Sequence, residues 1–188
     1  PDPLVASRTV DEKGCVITDE QPGELQFRAD FFFIGYWGRS EETSDAWTED
    51  GWFRTGDVGA IDGSGLIRLR GRRSDMYKSG GYNVYPRELE SVIERLPGVA
   101  AVVVVGVPDP LFQEVGFAWL VESAAGAAPA PDVERHCRTQ LANYKVPRYI
   151  RYLRELPLLP VGKVDRASLK TLAAAELERE AAQKGTRH

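Results

Sequence analysis

The segment from Gly71 to Glu88 constrains the fold of this chain more than any other part of its sequence. It reads GRRSDMYKSGGYNVYPRE, with a basic start, a glycine pair and a proline where a helix can begin. Pro86 suits the first turn of a helix, because the N–H group that proline lacks would have no partner there. Four apolar residues follow at the spacing of one helical face: Leu89, Val92, Ile93 and Leu96. The segment therefore predicts an amphipathic helix that ends before Pro97.

The residues before this segment have the pattern of antiparallel β structure. Residues 24–28 alternate between polar and apolar side chains, as in a half-buried strand. The apolar runs at 58–61 and 66–69 flank the turn sequence Asp-Gly-Ser-Gly, which is typical of a β-hairpin.

The residues after this segment alternate between strands and helices. Apolar runs predict strands at 102–107, 116–122 and 149–153. Helices are predicted at 132–144 and 168–182, with Asp132 and Asp165 as their capping residues. The predicted fold class is α+β: a small C-terminal domain, residues 72–188, has a mixed three-stranded sheet packed by helices. Antiparallel β structure precedes it over residues 1–71.

Composition excludes several classes of protein. The hydrophobic and charged fractions, 43% and 28%, are ordinary for a globular protein. The longest apolar run, 99–107, is far too short to span a membrane. Two cysteines and two histidines predict neither a disulfide framework nor a metal site, which fits a cytoplasmic setting. The N-terminus has neither a signal-peptide pattern nor an initiator Met, so we interpret the chain as a fragment of a longer polypeptide.

Charge is unevenly distributed along the chain. Residues 1–71 hold 7 basic and 14 acidic side chains, whereas residues 72–188 hold 17 basic and 14 acidic ones. A net positive second part suits anionic ligands, although two solvated surfaces of different charge explain the same counts. Basic blocks interleaved with aromatic residues are lacking, so nucleic acid is not expected as a partner.

Three motifs occur in order along the chain. The first is Thr55-Gly56-Asp57, the second is the segment 71–88, and the third is Gly162-Lys163 followed by Asp165-Arg166. Together they resemble the C-terminal part of the AMP-forming acyl-CoA synthetases, in the adenylate-forming ligase family, from about Gly23 to Leu172. The resemblance implies that residues 1–71 are the last β portion of a large N-terminal domain. Residues 72–188 would be the small mobile C-terminal domain.

The resemblance implies an acid–thiol ligase that works in two steps. ATP and a carboxylic acid, fatty or aromatic, give an acyl-adenylate, whose acyl group then passes to CoA. Mg²⁺ accompanies ATP, and its ligands are expected in the N-terminal part that is absent from this chain. The family's phosphate loop and acid-binding region have no equivalent here either, so we expect the fragment alone to be inactive. The sequence does not identify the acid or the oligomeric state.

The resemblance assigns the nucleotide to Asp57 and Arg72 and the domain pivot to Ser74. A carboxylate can accept hydrogen bonds from both hydroxyl groups of a ribose. By residue type alone, Asp57 in an isolated Thr-Gly-Asp is better explained as a turn residue that bonds its own backbone, and the resemblance reverses this preference. Many members of the family have Asp or Lys at the pivot, so Ser74 departs from the pattern. A small polar residue can still absorb the dihedral change of a hinge.

Lys163 matches the catalytic lysine of the family. A carboxylate that attacks the α-phosphate is an anion approaching an anion, and an ammonium between them stabilises the developing charge. A lysine in a loop is otherwise usually solvated and inert.

The same resemblance places CoA contacts on seven residues. Lys78, Gly80 and Gly81 match the loop that walls the pantetheine tunnel. The others match residues that contact the nucleotide part of CoA: Phe112, Tyr144, Lys145 and Arg148. Other interpretations remain open, namely a tight Gly-Gly turn, a core role for Tyr144 and plain surface charge for the two basic residues.

Two alternative functions are compatible with these motifs. An adenylation domain that loads a carrier protein has equivalents of Asp57, Arg72 and Lys163. An orphan binding module would keep the fold without catalysis, although the presence of all three residues argues against it. The run Lys78–Pro86 favours the CoA-ligase version.

Overall fold

The computed structural model describes residues 4–124, 126 and 129–185. The chain divides into two compact units, Pro1–Ser74 and Asp75–His188. Within the described part of the chain, no helix combines the length and the apolar character that a membrane span requires.

The first unit is built on one antiparallel sheet. Its elements are β1 (Ala6–Val10), β2 (Val16–Ile17), β3 (Gly23–Arg28), the short helix α1 (Ser40–Asp45), β4 (Phe53–Ile61) and β5 (Ile67–Arg72). The strands lie in the order β2-β1-β3-β4-β5. The predicted hairpin is the β4–β5 pair, and Asp62 closes its turn by accepting hydrogen bonds from the backbone N–H groups of Ser64 and Leu66.

The second unit combines a mixed sheet with three helices. Its elements are β6 (Tyr77–Ser79), β7 (Tyr82–Val84), α2 (Pro86–Ile93), β8 (Val99–Asp109), β9 (Gln113–Glu122), α3 (Ala130–Gln140), β10 (Tyr149–Leu153) and α4 (Arg166–Gly185). Strand β9 is central, with β8 antiparallel on one side and β10 parallel on the other. The α+β class and the three predicted strands are confirmed.

The sheet nevertheless has five strands rather than the three predicted. The two additional strands form the hairpin β6–β7, which joins β9 where Ser79 lies opposite Gln113. Each strand has only three residues around the Gly80-Gly81 turn. A run that short has no measurable alternation, so the sequence indicated a loop there.

The side chains of β8 and β9 point alternately to the two faces of the sheet, so the core of the second unit has two layers. One face packs against α2 and α3 through residues that include Val104, Leu120 and Leu89. The opposite face packs against α4 through residues that include Val105, Phe117 and Leu169. Successive residues of a strand point to opposite faces, so the continuous apolar run of β8 supplies both layers.

The cap at Asp165 is confirmed, whereas the cap at Asp132 is wrong. Asp165 precedes α4 and accepts hydrogen bonds from the backbone N–H and the hydroxyl of Ser168. Asp132 lies in the first turn of α3, which begins two residues earlier, and its carboxylate accepts from Arg135. Pro129 already has the extended conformation of a residue that precedes a helix, and a proline in the first turn extends the helix upstream.

Helix α3 is also shorter at its C-terminus than predicted. It ends at Gln140, since Leu141 has extended backbone angles, and Tyr144 lies in a separate 3₁₀ turn, Asn143–Lys145. Val133 and Cys137 are buried in the core as the helical spacing predicts. Tyr144 is therefore positioned by the turn and not by the apolar face of α3.

Candidate functional site

Asp57 and Arg72 face each other across two neighbouring strands. They occupy partner positions of β4 and β5, and Arg72 Nε lies 3.2 Å from Asp57 Oδ1. The backbone N–H of Asp57 donates to Thr55 Oγ1, and the hydroxyl of Thr55 donates to the carbonyl of Leu25. The carboxylate is about one-third exposed, at 34%. The arrangement offers a carboxylate and a guanidinium side by side to a ligand at the surface of the first unit.

A second charged cluster lies close to this pair and was missed by the sequence analysis. Glu24 on β3 is 9% exposed, and its Oε2 lies 3.4 Å from Arg54 and 3.8 Å from Arg73. With Thr55 and other residues, Glu24 and Arg54 line a cavity of about 630 Å³. Both arginine partners of Glu24 lie 30 or more residues away along the chain, so no local sequence pattern could have indicated this cluster.

Ser74 is the last residue of the first unit and the middle residue of a 3₁₀ turn, Arg73–Asp75. One turn further on, the backbone enters β6 of the second unit. The predicted pivot therefore coincides with the point where the chain passes from one compact unit to the other.

Lys163 lies at an exposed tight turn. Leu159 donates its N–H to the carbonyl of Lys163 at 2.7 Å, and Gly162 donates to the carbonyl of Leu159 at 2.8 Å. Gly162 has a φ of +79°, a conformation that glycine adopts readily. Among the residues that the structure describes, the Lys163 ammonium has no carboxylate within ion-pair distance. The turn thus presents a positive charge to solvent.

The base of this turn is anchored in the core of the second unit. Arg166 Nη2 donates to Glu90 Oε1 at 2.7 Å, and Nη1 donates to the carbonyl of Val104 at 2.9 Å. The Nε atom of Arg166 lies 3.2 Å from Asp75 Oδ2. The Glu90 side chain is 3% exposed, so this carboxylate is buried with its cationic partner. The base of the lysine turn is therefore tied to the core of the second unit.

Three of the predicted CoA residues meet at one cavity of about 480 Å³. It is lined by Phe112, Tyr144 and Arg148 together with Ser79, Val115, Glu134, Arg138, Asn143, Val146 and Pro147. The ring of Tyr144 stacks on Tyr82 with centroids 4.4 Å apart. Aromatic faces and a guanidinium around an open cavity are suited to a ligand with a base and phosphates.

Gly80 lies directly beside this cavity, and its lack of a side chain is required there. Its N–H donates to the carbonyl of Phe112 at 2.9 Å. A Cβ atom at Gly80 would lie 3.3 Å from the Phe112 ring, and the backbone has a φ of +57°. Gly81 has a φ of +86°, with open space where its Cβ would be.

Lys78 and Lys145 do not line the cavity. Lys78 lies on β6, and its backbone N–H is 3.4 Å from Glu114 Oε2. The Lys145 ammonium contacts both carboxylate oxygens of Glu88, at 2.7 and 2.8 Å, and its side chain is only 15% exposed. In this structure Lys145 thus links the 3₁₀ turn to the start of α2.

Sequence reasoning missed the contribution of α3 to the cavity. Arg138 donates from Nε and Nη2 to Glu134 Oε1, at 3.0 and 2.8 Å. Both side chains line the cavity, which therefore contains two arginines, Arg138 and Arg148. The spacing of Glu134 and Arg138 indicates only an exposed helical ion pair, so nothing local separates them from ordinary surface charge.

The residues that the structure describes contain no group of three or more His, Cys, Asp or Glu side chains that could hold a metal ion.

Comparison with known proteins identifies the second unit. Residues 88–163 match the AMP-binding enzyme C-terminal domain. This region belongs to that family. The match begins at Glu88, two residues after Pro86, and ends at Lys163. The recognition of an adenylate-forming ligase from three motifs is thereby confirmed.

Three matching proteins, one relative and two solved structures, are each longer than this chain. The long-chain-fatty-acid–CoA ligase FadD13 of Mycobacterium tuberculosis is 41% identical over 155 residues, which are 82% of this chain and 30% of FadD13. ATP-bound MatB from Rhodopseudomonas palustris superposes with a TM-score of 0.81 at 34% identity, over 90% of this chain and 34% of MatB. The amide bond synthetase McbA from Marinactinospora thermotolerans superposes with a TM-score of 0.83 at 36% identity, over 90% and 35%. The chain thus spans about one third of each.

Proposed function

We propose that this chain is the C-terminal part of an ATP-dependent, AMP-forming acyl-CoA synthetase. The complete polypeptide would join a carboxylic acid to CoA through an acyl-adenylate. The 480 Å³ cavity carries this proposal, because two aromatic side chains, Phe112 and Tyr144, and two arginines line it within an AMP-binding C-terminal domain. The similarity to FadD13 supports CoA as acceptor and a fatty acid as one candidate substrate.

In the first step, a carboxylate oxygen attacks the α-phosphorus of ATP and pyrophosphate leaves, forming the acyl-adenylate. Asp57 binds the ribose hydroxyl groups, and Arg72 keeps the carboxylate oriented through its 3.2 Å contact. Lys163 places its ammonium against the phosphoryl oxygens, where negative charge increases in the transition state.

In the second step, the thiol sulfur of CoA attacks the acyl carbon, AMP leaves, and the thiol proton is lost to solvent. The small domain turns about Ser74 between the two steps, which withdraws Lys163 and brings in the Gly80-Gly81 turn. Phe112, Tyr144 and Arg148 hold the nucleotide part of CoA at the cavity. Lys145 supports this site indirectly, because its ion pair with Glu88 fixes the turn that carries Tyr144.

A second candidate differs in the acceptor alone. The similarity to the amide bond synthetase McbA, at 36% identity, favours an amine that attacks the same acyl-adenylate. Both candidates use Asp57, Arg72 and Lys163 in the first step. The two candidates differ in the acceptor that the cavity binds during the second step, which is CoA in one and an amine in the other.

The test supplies a preformed acyl-adenylate to the complete polypeptide and measures AMP release with CoA, with a primary amine and with neither. We expect CoA to accelerate release strongly. Arg148→Ala and Tyr144→Ala should raise the KM for CoA. Acceleration by the amine alone would establish the second candidate, and release that neither acceptor accelerates would refute both.

A further inference from the structure

We propose that Asp109 is the positioning residue of the acceptor cavity, through which both Phe112 and Arg148 are held in place. This inference rests on the proposed function, since it concerns how the same cavity binds CoA. Asp109 is the last residue of β8 and does not itself line the cavity. Its side chain is only 6% exposed.

The two carboxylate oxygens of Asp109 accept hydrogen bonds from different donors. Oδ1 accepts hydrogen bonds from the backbone N–H groups of Leu111 and Phe112, both at 2.9 Å. Oδ2 accepts from Arg148 Nη1 at 2.7 Å. Burial alone would raise the pKa of this carboxyl, but the Phe112 and Leu111 N–H groups and the Arg148 guanidinium together lower it. Asp109 is therefore a carboxylate at neutral pH.

The turn that Asp109 holds is backbone-strained and connects to the glycine loop. Asp109 and Gln113 are partners at the end of the β8–β9 hairpin, and Gln113 has a φ of +69°. A non-glycine residue in this conformation persists only where its surroundings hold it. The same turn directs the carbonyl of Phe112 to the N–H of Gly80. The two hydrogen bonds to Oδ1 thus fix the cavity wall and the adjoining loop.

The guanidinium of Arg148 would otherwise be free to move. Its backbone N–H donates to the carbonyl of Gly116 at 2.8 Å, which fixes the main chain next to β9. Its side chain is 50% exposed and has only the contact with Asp109 to orient it among the contacts that the structure describes. A phosphate group of CoA needs this guanidinium in one orientation.

Two substitutions at Asp109 separate its two tasks. In Asp109→Asn the amide oxygen can still accept from the Leu111 and Phe112 N–H groups, while the amide NH₂ faces Arg148 donor to donor. Asp109→Ala removes both interactions and opens the turn as well. Glu94→Gln is the matched control, because Glu94 pairs with Arg87 at the same 2.7 Å on the exposed side of α2, away from the cavity.

The experiment measures the KM for CoA and the KM for ATP in the complete polypeptide. We expect Asp109→Asn to raise the KM for CoA about fivefold relative to the KM for ATP, the size of a partly exposed charge pair. Asp109→Ala should raise it further and lower the melting temperature. Glu94→Gln should leave the ratio of the two KM values as it is.

A double-mutant cycle decides whether Asp109 acts through Arg148. If it does, Asp109→Asn has little further effect on the KM for CoA once Arg148 is alanine. Additive effects, or an unchanged KM for CoA in Asp109→Asn, would overturn the inference. If CoA does not accelerate AMP release by the wild-type enzyme at all, the proposed function is overturned instead. The two failures are therefore distinguishable.

Discussion

The two units of this chain differ in how their sheets are covered. Of the buried hydrophobic residues in the described part of the chain, three lie in the first unit and twenty in the second. The sheet of the second unit has helices on both faces, whereas the first unit leaves Ile34 and Trp37 fully exposed, at 100% and 101%.

This difference fits the roles proposed for the two units. A mobile domain must stay rigid while it presents Lys163 in one step and the cavity in the next, and a core on both faces of its sheet supplies that rigidity. The Asp57–Arg72 pair lies instead on a sheet that has few buried apolar side chains packed against it. The first unit therefore has a smaller apolar core of its own than the second.

The largest expected effect tests the packing contrast directly. Trp119 is 2% exposed and its Nε1–H donates to the carbonyl of Leu169 at 3.2 Å. Trp119→Ala should lower the free energy of unfolding by about 3–5 kcal/mol, because it leaves a cavity in the core. Trp37→Ala should change it by less than about 0.5 kcal/mol. Urea denaturation of both variants of this chain measures the difference, and equal losses would break the comparison.

The next prediction separates the two chemical steps. Lys163→Ala in the complete polypeptide should slow acyl-adenylate formation by about 10²–10³-fold, as loss of one transition-state donor does. Thioester formation from a supplied acyl-adenylate should fall far less, since the lysine is withdrawn in that step. The control is Lys170→Ala, which removes a lysine of α4 that pairs with Glu114 of β9. Equal loss in both steps would assign Lys163 a structural role.

Gly81 tests whether the glycine turn serves the acceptor or only the fold. Any side chain there is strained at a φ of +86°, by about 1–3 kcal/mol, although the space around it is open. Gly81→Ala and Gly81→Leu should therefore lower the melting temperature similarly. The bulk of leucine should slow thioester formation beyond the alanine variant, by obstructing the approach of the pantetheine arm. Equal rates in the two variants would indicate a turn glycine and weaken the case for CoA.

Local signals predicted much of this fold. Pro86 marks the start of α2, Asp62 the β4–β5 turn and Asp165 the cap of α4, and each acts on residues within four positions of itself. The strand was recognised from its apolar run, but the full extent of β8 was not, because Pro108 and Asp109 at its end lie beyond that run.

Contacts between distant residues were beyond the sequence alone. The buried Glu90 meets Arg166, 76 residues away, and Lys145 meets Glu88, 57 residues away. Asp57 and Arg72 were paired through a family resemblance, and they do lie opposite each other in the sheet. The cavity also depends on Arg138 and Glu134, whose helical spacing looks like any surface pair. Charge partners set by tertiary packing carry no local signature.

The smallest expected effect concerns the buried hydroxyl of Tyr77 in the core of the second unit. Tyr77 is 2% exposed, and its hydroxyl has no hydrogen-bond partner in the described structure. A Cβ atom would lie 2.5 Å from Tyr77 Cβ if built at Gly106, and 2.7 Å from the Tyr77 hydroxyl oxygen if built at Gly116, so two glycines accommodate this side chain. Removing an unsatisfied buried polar group should stabilise the fold, and Tyr77→Phe should add about 1 kcal/mol.

The same variant has a pH signature that an ordinary core substitution lacks. Burial, assisted by the nearby Glu114 carboxylate, raises the pKa of Tyr77 well above its usual value of 10.0. The folded state thus holds the proton more tightly than the unfolded state, and the associated stability is present below pH 10 and lost as the pH rises further. The melting temperature of the wild type should then fall more steeply above pH 10 than that of Tyr77→Phe. Tyr36→Phe, at a position 48% exposed, is the control and should follow the wild type. A lower melting temperature for Tyr77→Phe at neutral pH would mean that the hydroxyl contributes to stability. The core of the second unit would then depend on a polar group as well as on apolar packing.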